Sequence, residues 1–223
     1  MSGTRARVLA RLADHLVVRR PPHPLRVAVD GPDAAGKTRL ADDLAEVLGA
    51  RRPVLRVSVD GFHQPAAIRR ARGPLSPEGY YRDAFDHETL VTRVLRPLGP
   101  GGDRQYLPAA YDLRAETPVT AEPVLAPVDA VLLADGVFLL RPELRAHWDV
   151  TVYLHVEPEE TLRRALLRDV EVFGSAEEVR RRYRARYLPG QELYRAEVGP
   201  ARHADVVLDL TDPLAPVVLA WRG

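Results

Sequence analysis

The chain of 223 residues contains no cysteine and no asparagine, and only one lysine (Lys37), one methionine (Met1) and one isoleucine (Ile68). The lack of cysteine excludes a disulfide-stapled scaffold and any Cys-ligated zinc or iron–sulfur site. The joint scarcity of Lys, Asn and Ile points to a GC-rich genome. Arg supplies all but one of the 32 basic residues, and that excess reads mainly as codon bias. A net charge of +1 excludes a strongly basic nucleic-acid binder. A hydrophobic content of 46% excludes wholesale disorder. No apolar run approaches the ~20 residues that a membrane span needs. The first 20 residues carry Arg throughout and lack the compact apolar block of a secretory signal. A cytoplasmic location with no membrane partner is therefore expected.

What is present suits one domain spanning 1–223. Val8, Leu9, Leu12 and Leu16 fall near helical spacing, so the N-terminal segment 1–20 reads as an amphipathic helix ended by Pro21-Pro22-His23-Pro24. A helix packed on the body, with a solvated Arg face, is preferred over one lying on a membrane. Leu25–Asp30, Val54–Asp60, Val128–Asp135, Val150–Val156 and Ala204–Leu210 are short, near-continuous apolar runs. Helical stretches such as Thr38–Leu48 alternate with them. Parallel strands buried on both faces look like this. The fold class is therefore α/β, with a doubly wound, five-stranded parallel sheet. The Pro- and Gly-rich segment 97–127 breaks the alternation and reads as a β-hairpin insertion, with a disordered linker as the alternative.

Gly31-Pro32-Asp33-Ala34-Ala35-Gly36-Lys37-Thr38 fits G-x-x-x-x-G-K-[ST] between a strand and a helix, the context that the motif requires. Gly31 and Gly36 let the backbone curl until successive N–H groups face inward as an anion nest. The helix that follows adds its positive N-terminal end. Lys37 is placed to reach the β- and γ-phosphates, and the Thr38 hydroxyl to ligate Mg²⁺. The expected phosphate-contacting set is Gly31, Asp33, Ala34, Ala35, Gly36, Lys37, Thr38 and Arg39. ATP and Mg²⁺ are the expected cofactors.

Two acids end apolar strands. Asp60 follows the second strand, where ligands of such sheets gather. It suits a general base, or a metal contact through water. Asp135 ends the third strand, a position from which phosphate-loop proteins hold the metal. An N-cap or turn role is the plain alternative for each. The stretch 161–186 holds eight Arg. Arg164 and Arg168 share a helix face, and a lid over 161–190 would carry them to the phosphates. The cluster 180–186 reads equally well as a solvated face. RNA binding through it has few aromatic partners to support it, so no nucleic-acid partner is expected.

In order along residues 25–213, the chain carries GPDAAGKT, VSVDGFH, YYRDAFDHETL, Tyr111-Asp112-Leu113, LLADGVFLL, LRRALLRD and YLPGQELY…ADVVLDL. This ordered set resembles the uridine kinase, phosphoribulokinase and pantothenate kinase group of P-loop kinases. The resemblance implies a five-stranded parallel sheet, a β-hairpin lobe over the substrate and an Arg-bearing helical lid. It implies ATP-dependent phosphorylation of a hydroxyl on a small molecule. By the same resemblance Asp60 is the base, Thr38, Asp135 and Asp60 serve Mg²⁺, and Lys37, Arg164 and Arg168 stabilise the transferring group. Kinases of this group often form dimers or tetramers, so a homo-oligomer is compatible with it.

The substrate-reading positions depart from the uridine kinase pattern. Tyr80 stands where an acid precedes the DAFD element, Glu116 replaces a His, Ser175 an Arg, and Arg182 a Gln. His63, Tyr80, Tyr81, Tyr111, Glu116, Arg182, Gln191 and Tyr194 are the candidate pocket residues. The acceptor is then a nucleoside or related molecule, or a non-nucleoside alcohol such as pantothenate or a sugar. A nucleotide-sensing regulator without transfer is a further alternative. The one retained lysine sits where a slim ammonium enters the phosphate loop, and a planar guanidinium does not substitute there. Lys37→Arg is expected to abolish or severely reduce phosphoryl transfer, measured as ADP release.

Overall fold

The computed structural model describes residues 3–222. The apolar runs form a central sheet from β1 (Leu25–Asp30), β2 (Val54–Ser58), β7 (Val131–Gly136), β8 (Val150–His155), β9 (Val206–Asp209) and β10 (Val217–Trp221). The order across the sheet is β10-β9-β8-β1-β7-β2. All pairings are parallel except that of β10 with β9. Between β2 and β7 lie four two-residue strands, β3 (Gln105–Tyr106), β4 (Tyr111–Asp112), β5 (Thr117–Pro118) and β6 (Val124–Leu125). β3 pairs with β6 and β4 with β5, both antiparallel, so the segment doubles back on itself as a nested hairpin.

The helices are α1 (Gly3–Val17), α2 (Lys37–Gly49), α3 (Ala66–Arg69), α4 (Pro77–Asp83), α5 (His87–Leu90) and α6 (Pro142–Arg145). They continue with α7 (Pro158–Arg168), α8 (Val170–Phe173), α9 (Ala176–Arg182), α10 (Leu188–Val198) and α11 (Pro200–His203). None of the described helices is long and apolar enough to cross a membrane.

Period-two alternation divides the strand residues between two cores. Val27, Val29, Leu133 and Val152 pack with the apolar stripes of α1 and α2 on one face. Ala28, Leu132, Ala134 and Tyr153 pack on the other with Phe62, Tyr80, Phe138 and Tyr194. α1 buries Val8, Leu9, Leu12, Ala13 and Leu16 in the first core, so its apolar face is spent on the protein body. Arg26, buried within β1, is matched by a two-point contact of its Nε and Nη2 with Asp149 at 3.0 and 2.9 Å, which is how a buried cation is tolerated.

The structure corrects the strand reading in three places. The sheet has six strands rather than five, because Val217–Trp221 adds an antiparallel edge. This run was missed because an edge strand exposes half its side chains, and Val217 and Leu219 are exposed here. The second strand stops at Ser58. Its hydroxyl accepts a hydrogen bond from the Asp60 N–H, and Val59–Phe62 turn as a 3-10 helix, so Asp60 stands on a turn. The third strand starts at Val131 instead of Val128, since Ala130 N–H bonds back to the Pro127 carbonyl in a turn.

Because Leu12 is fully buried between α1 and the sheet, Leu12→Ala is expected to destabilise the fold by about 2–5 kcal/mol. Urea unfolding monitored by circular dichroism measures this.

Candidate active site

The loop between β1 and α2 is shaped by three unusual backbone positions. Gly31 takes φ 156°, and a Cβ there would lie 2.8 Å from the Leu154 carbonyl oxygen, so the loop hugs β8. Gly36 enters α2 in the left-handed region at φ 90°. Ala34 is also left-handed, at φ 54°, a conformation that costs a non-glycine residue energy and turns consecutive N–H groups toward one point. The loop therefore opens at the carboxyl ends of β1, β7 and β2. The register makes this explicit: Val29 lies beside Asp135, and Ser58 lies on the other side of Asp135.

A cavity of about 580 Å³ opens there, within the range of small-ligand sites. Its wall carries Asp33, Ala34, Gly36, Lys37, Thr38 and Arg39 from the loop and α2, Asp60, His63, Tyr80 and Asp135 around it, and Arg168 from α7. These are sequence-predicted residues that the fold brings together. Lys37 is half-buried, and its Nζ donates to the Pro32 carbonyl at 2.7 Å. Burial pushes its pKa down, against the pull of Asp33, Asp30, Asp60 and Asp135. The Thr38 hydroxyl donates to Asp135 Oδ2 at 2.7 Å. His63 Nδ1 meets the Asp60 carbonyl at 2.9 Å, which fixes the proton on Nδ1. Burial pushes the His63 pKa down, so the ring is neutral near pH 7.

Other expected residues are directed elsewhere, each by a specific partner. Arg164 donates to Glu160 and to the backbone carbonyls of Ala35, Leu210 and Thr211, which ties it behind the loop rather than over the cavity. Glu116 accepts from Arg69 and from the Tyr111 hydroxyl, and these bonds hold its carboxyl below the usual range. Tyr81 is buried under the guanidinium groups of Arg82 and Arg141. Arg182 bonds Glu178 and lies over Phe173 at 4.7 Å. Gln191 and Tyr194 reach the loop from α10, through Asp33 and Asp30 respectively. Gly31 and Ala35 shape the loop without lining the cavity. Arg168, although on the wall, makes a two-point contact with Asp169, which also accepts from the Tyr183 hydroxyl at 2.8 Å.

Two residues absent from the sequence expectation matter. Arg56 in β2 donates to Asp135 Oδ1 at 2.9 Å, so Asp135 is gripped through both oxygens. An Arg alternating with Val in an apolar strand is the available signal. Asp30, fully buried at the end of β1, accepts from the N–H groups of Gly31 and Leu140 and from Tyr194. Burial raises its pKa from 3.8 to about 6 despite those bonds.

A hydroxyl beside two carboxylates, all hard oxygen donors, fits a magnesium ion. Among the described residues no cluster of three or more His, Asp or Glu could hold a metal by itself. Such an ion in this cavity would complete its shell with phosphate oxygens and water.

No family model matches the chain. Uridine-cytidine kinase B of Dictyostelium discoideum is 27% identical over 187 residues, covering 83% of this chain and 74% of the relative. Uridine-cytidine kinase 2-B of Danio rerio is 25% identical over 196 residues, covering 83% and 72%. Among solved structures, a possible uridine kinase from Bacillus stearothermophilus superposes with a TM-score of 0.68 at 23% identity, covering 89% of this chain and 96% of that one. The fold is thus that of the P-loop kinases. Within that class the sequence is similar to the uridine-cytidine kinases.

The Asp30 shift has a definite sign. Between pH 3.8 and about 6 the folded chain holds a proton there that the unfolded chain has lost. The contribution of Asp30 is therefore greatest below pH 3.8 and is lost as pH rises through about 6. Asp30→Asn is expected to remove a pH dependence on the order of 2–3 kcal/mol. Unfolding free energies of both proteins across that window measure it.

Proposed function

We propose that the chain is an ATP- and Mg²⁺-dependent kinase that transfers the γ-phosphoryl group to a hydroxyl of a small molecule. The observation that carries this reading is a single cavity walled by Lys37 and Thr38 of the phosphate loop together with Asp60 and Asp135. The curated relatives named as uridine-cytidine kinases support it.

In this reading the loop N–H groups and Lys37 hold the nucleotide phosphates. Thr38 and Asp135 would hold Mg²⁺, which when bound neutralises charge on the phosphoryl oxygens. Asp60 accepts the proton of the acceptor hydroxyl. The hydroxyl oxygen then forms a bond to the γ-phosphorus as the bond to the β-phosphate oxygen breaks, and ADP leaves. Lys37 stabilises the charge shared among the oxygens. Arg168 joins it once it exchanges Asp169 for phosphate. His63, bonded to the Asp60 backbone, positions the turn that presents the carboxylate.

A nucleoside or related acceptor follows from the relatives. One set of contacts favours a different alcohol. Tyr80, Glu116 and Arg182 are occupied by protein partners, and the Ser175 hydroxyl caps α9 by accepting from Glu178 N–H. None of these four is left to read a pyrimidine edge, and a site discriminates through the hydrogen bonds that it can complete. An ADP-release screen across nucleosides, pantothenate, sugars and sugar phosphates separates the two acceptor classes. Tight ATP binding with no turnover on any acceptor would instead favour a nucleotide-sensing regulator.

Asp60→Asn is expected to lower kcat by about 10²–10⁴-fold while ATP affinity stays near that of the parent. Steady-state ADP release and calorimetric ATP titration measure the two quantities. Turnover equal to the parent would remove Asp60 from the base role.

A further inference from the structure

An acid within a loop that cradles polyanions is an electrostatic contradiction. Asp33 is the third residue of the GPDAAGKT loop and stands on the cavity wall. Left to itself, its carboxylate would repel the phosphates that the N–H groups of the same loop attract. The structure resolves the conflict with two donors from distant helices. The Tyr80 hydroxyl of α4 lies 2.8 Å from both Asp33 oxygens. Gln191 of α10 donates its Nε2 to Asp33 Oδ2 at 3.1 Å. Tyr80 and Gln191 are only 5% and 1% exposed, so both donors are buried and aimed.

The surroundings hold these donors in place. The Tyr80 ring meets Phe138 and Tyr187 edge-on, with centroids 5.0 and 4.9 Å away. The Arg186 guanidinium lies over its face at 5.3 Å. Gly190, just before Gln191, lets α10 approach α4, since a Cβ there would lie 2.7 Å from Tyr80 Cδ1. Phe138 itself takes φ 66°, a rare conformation for a bulky residue, and it packs its ring between Tyr80 and Tyr194.

We propose that Tyr80 and Gln191 form a latch that draws the Asp33 carboxylate toward α4 and α10, off the path of the nucleotide phosphates. The two are positioning residues: they act on the nucleotide through Asp33. The latch rests on the kinase reading and deepens it, because it makes nucleotide affinity depend on α4 and α10, which lie outside the phosphate loop. It also keeps the Asp33 charge close enough to favour the Lys37 ammonium, for which Asp33 is the strongest carboxylate support.

The test is a double-mutant cycle read by calorimetric titration with MgATP. Tyr80→Phe keeps the ring and removes the donor, and it is expected to weaken ATP binding about tenfold. Asp33→Asn alone is expected to bind ATP at least as tightly as the parent. In the Asp33→Asn background Tyr80→Phe is expected to change affinity by less than about twofold. Gln191→Leu, read in the same two backgrounds, supplies a second lever should Tyr80→Phe fold poorly by circular dichroism. Equal weakening with and without the Asp33 charge would assign Tyr80 and Gln191 a purely structural role and overturn the latch. Unchanged affinity in both would overturn it too. A parent protein that binds no MgATP would overturn the kinase reading and the latch together, whereas a flat cycle on an ATP-binding parent overturns the latch alone.

Discussion

A half-buried ammonium in the crook of the phosphate loop is the constraint around which the cavity is arranged. Lys37 gives up part of its water to sit there, and that desolvation pulls its pKa down. Its Nζ bond to the Pro32 carbonyl is short and local. The charge is supported by acids delivered from three strands: Asp30 ends β1, Asp135 lies in β7, and Asp60 follows β2. Parallel strands of matched register end together, so residues far apart in the chain converge on one ammonium. The same convergence creates the cavity in which an incoming anion would find a cation already partly desolvated.

Three of the four acids around that lysine are held by named partners. Asp135 is shared by Thr38 and Arg56, Asp33 by Tyr80 and Gln191, and Asp30 by Tyr194 and two backbone N–H groups. Between α7 and α8, Asp169 is held by Arg168 and Tyr183. Buried polar groups that are fully partnered stiffen a site, while a half-partnered network would weaken it. The sheet side of the cavity is therefore a fixed wall. The Arg168–Asp169 pair lies at the C-terminal end of α7, on the helical part of the cavity wall.

Much of this could be read in the sequence. The alternating apolar runs mark all five parallel strands, and GPDAAGKT between a strand and a helix announces the loop. Asp60 and Asp135 are legible because a charge at the end of an apolar run has few reasons to be there. Arg56 was less so: its alternation with Val marks an inward side chain but does not say what it meets. Val217–Trp221 escaped notice because an edge strand is half exposed and lacks the continuous apolar signature of its neighbours.

Local sequence is enough to specify the loop, the strand ends that feed it and the single lysine within it. These depend on backbone shape over a few consecutive residues, where glycine placement and strand period are local properties. Tertiary structure alone decided where the polar side chains of the later helices point. Tyr80 and Gln191 look like pocket residues in sequence, yet they reach an aspartate 47 and 158 residues away. Arg164, four residues from Arg168 on the same helix, is captured by Glu160 and the Leu210 carbonyl, while Arg168 stays on the cavity wall. Hydrogen bonds between distant segments depend on how α4, α7 and α10 pack on the sheet. That packing is set by buried volume and close approach, as at Gly190 against Tyr80, and one-dimensional spacing carries no record of it.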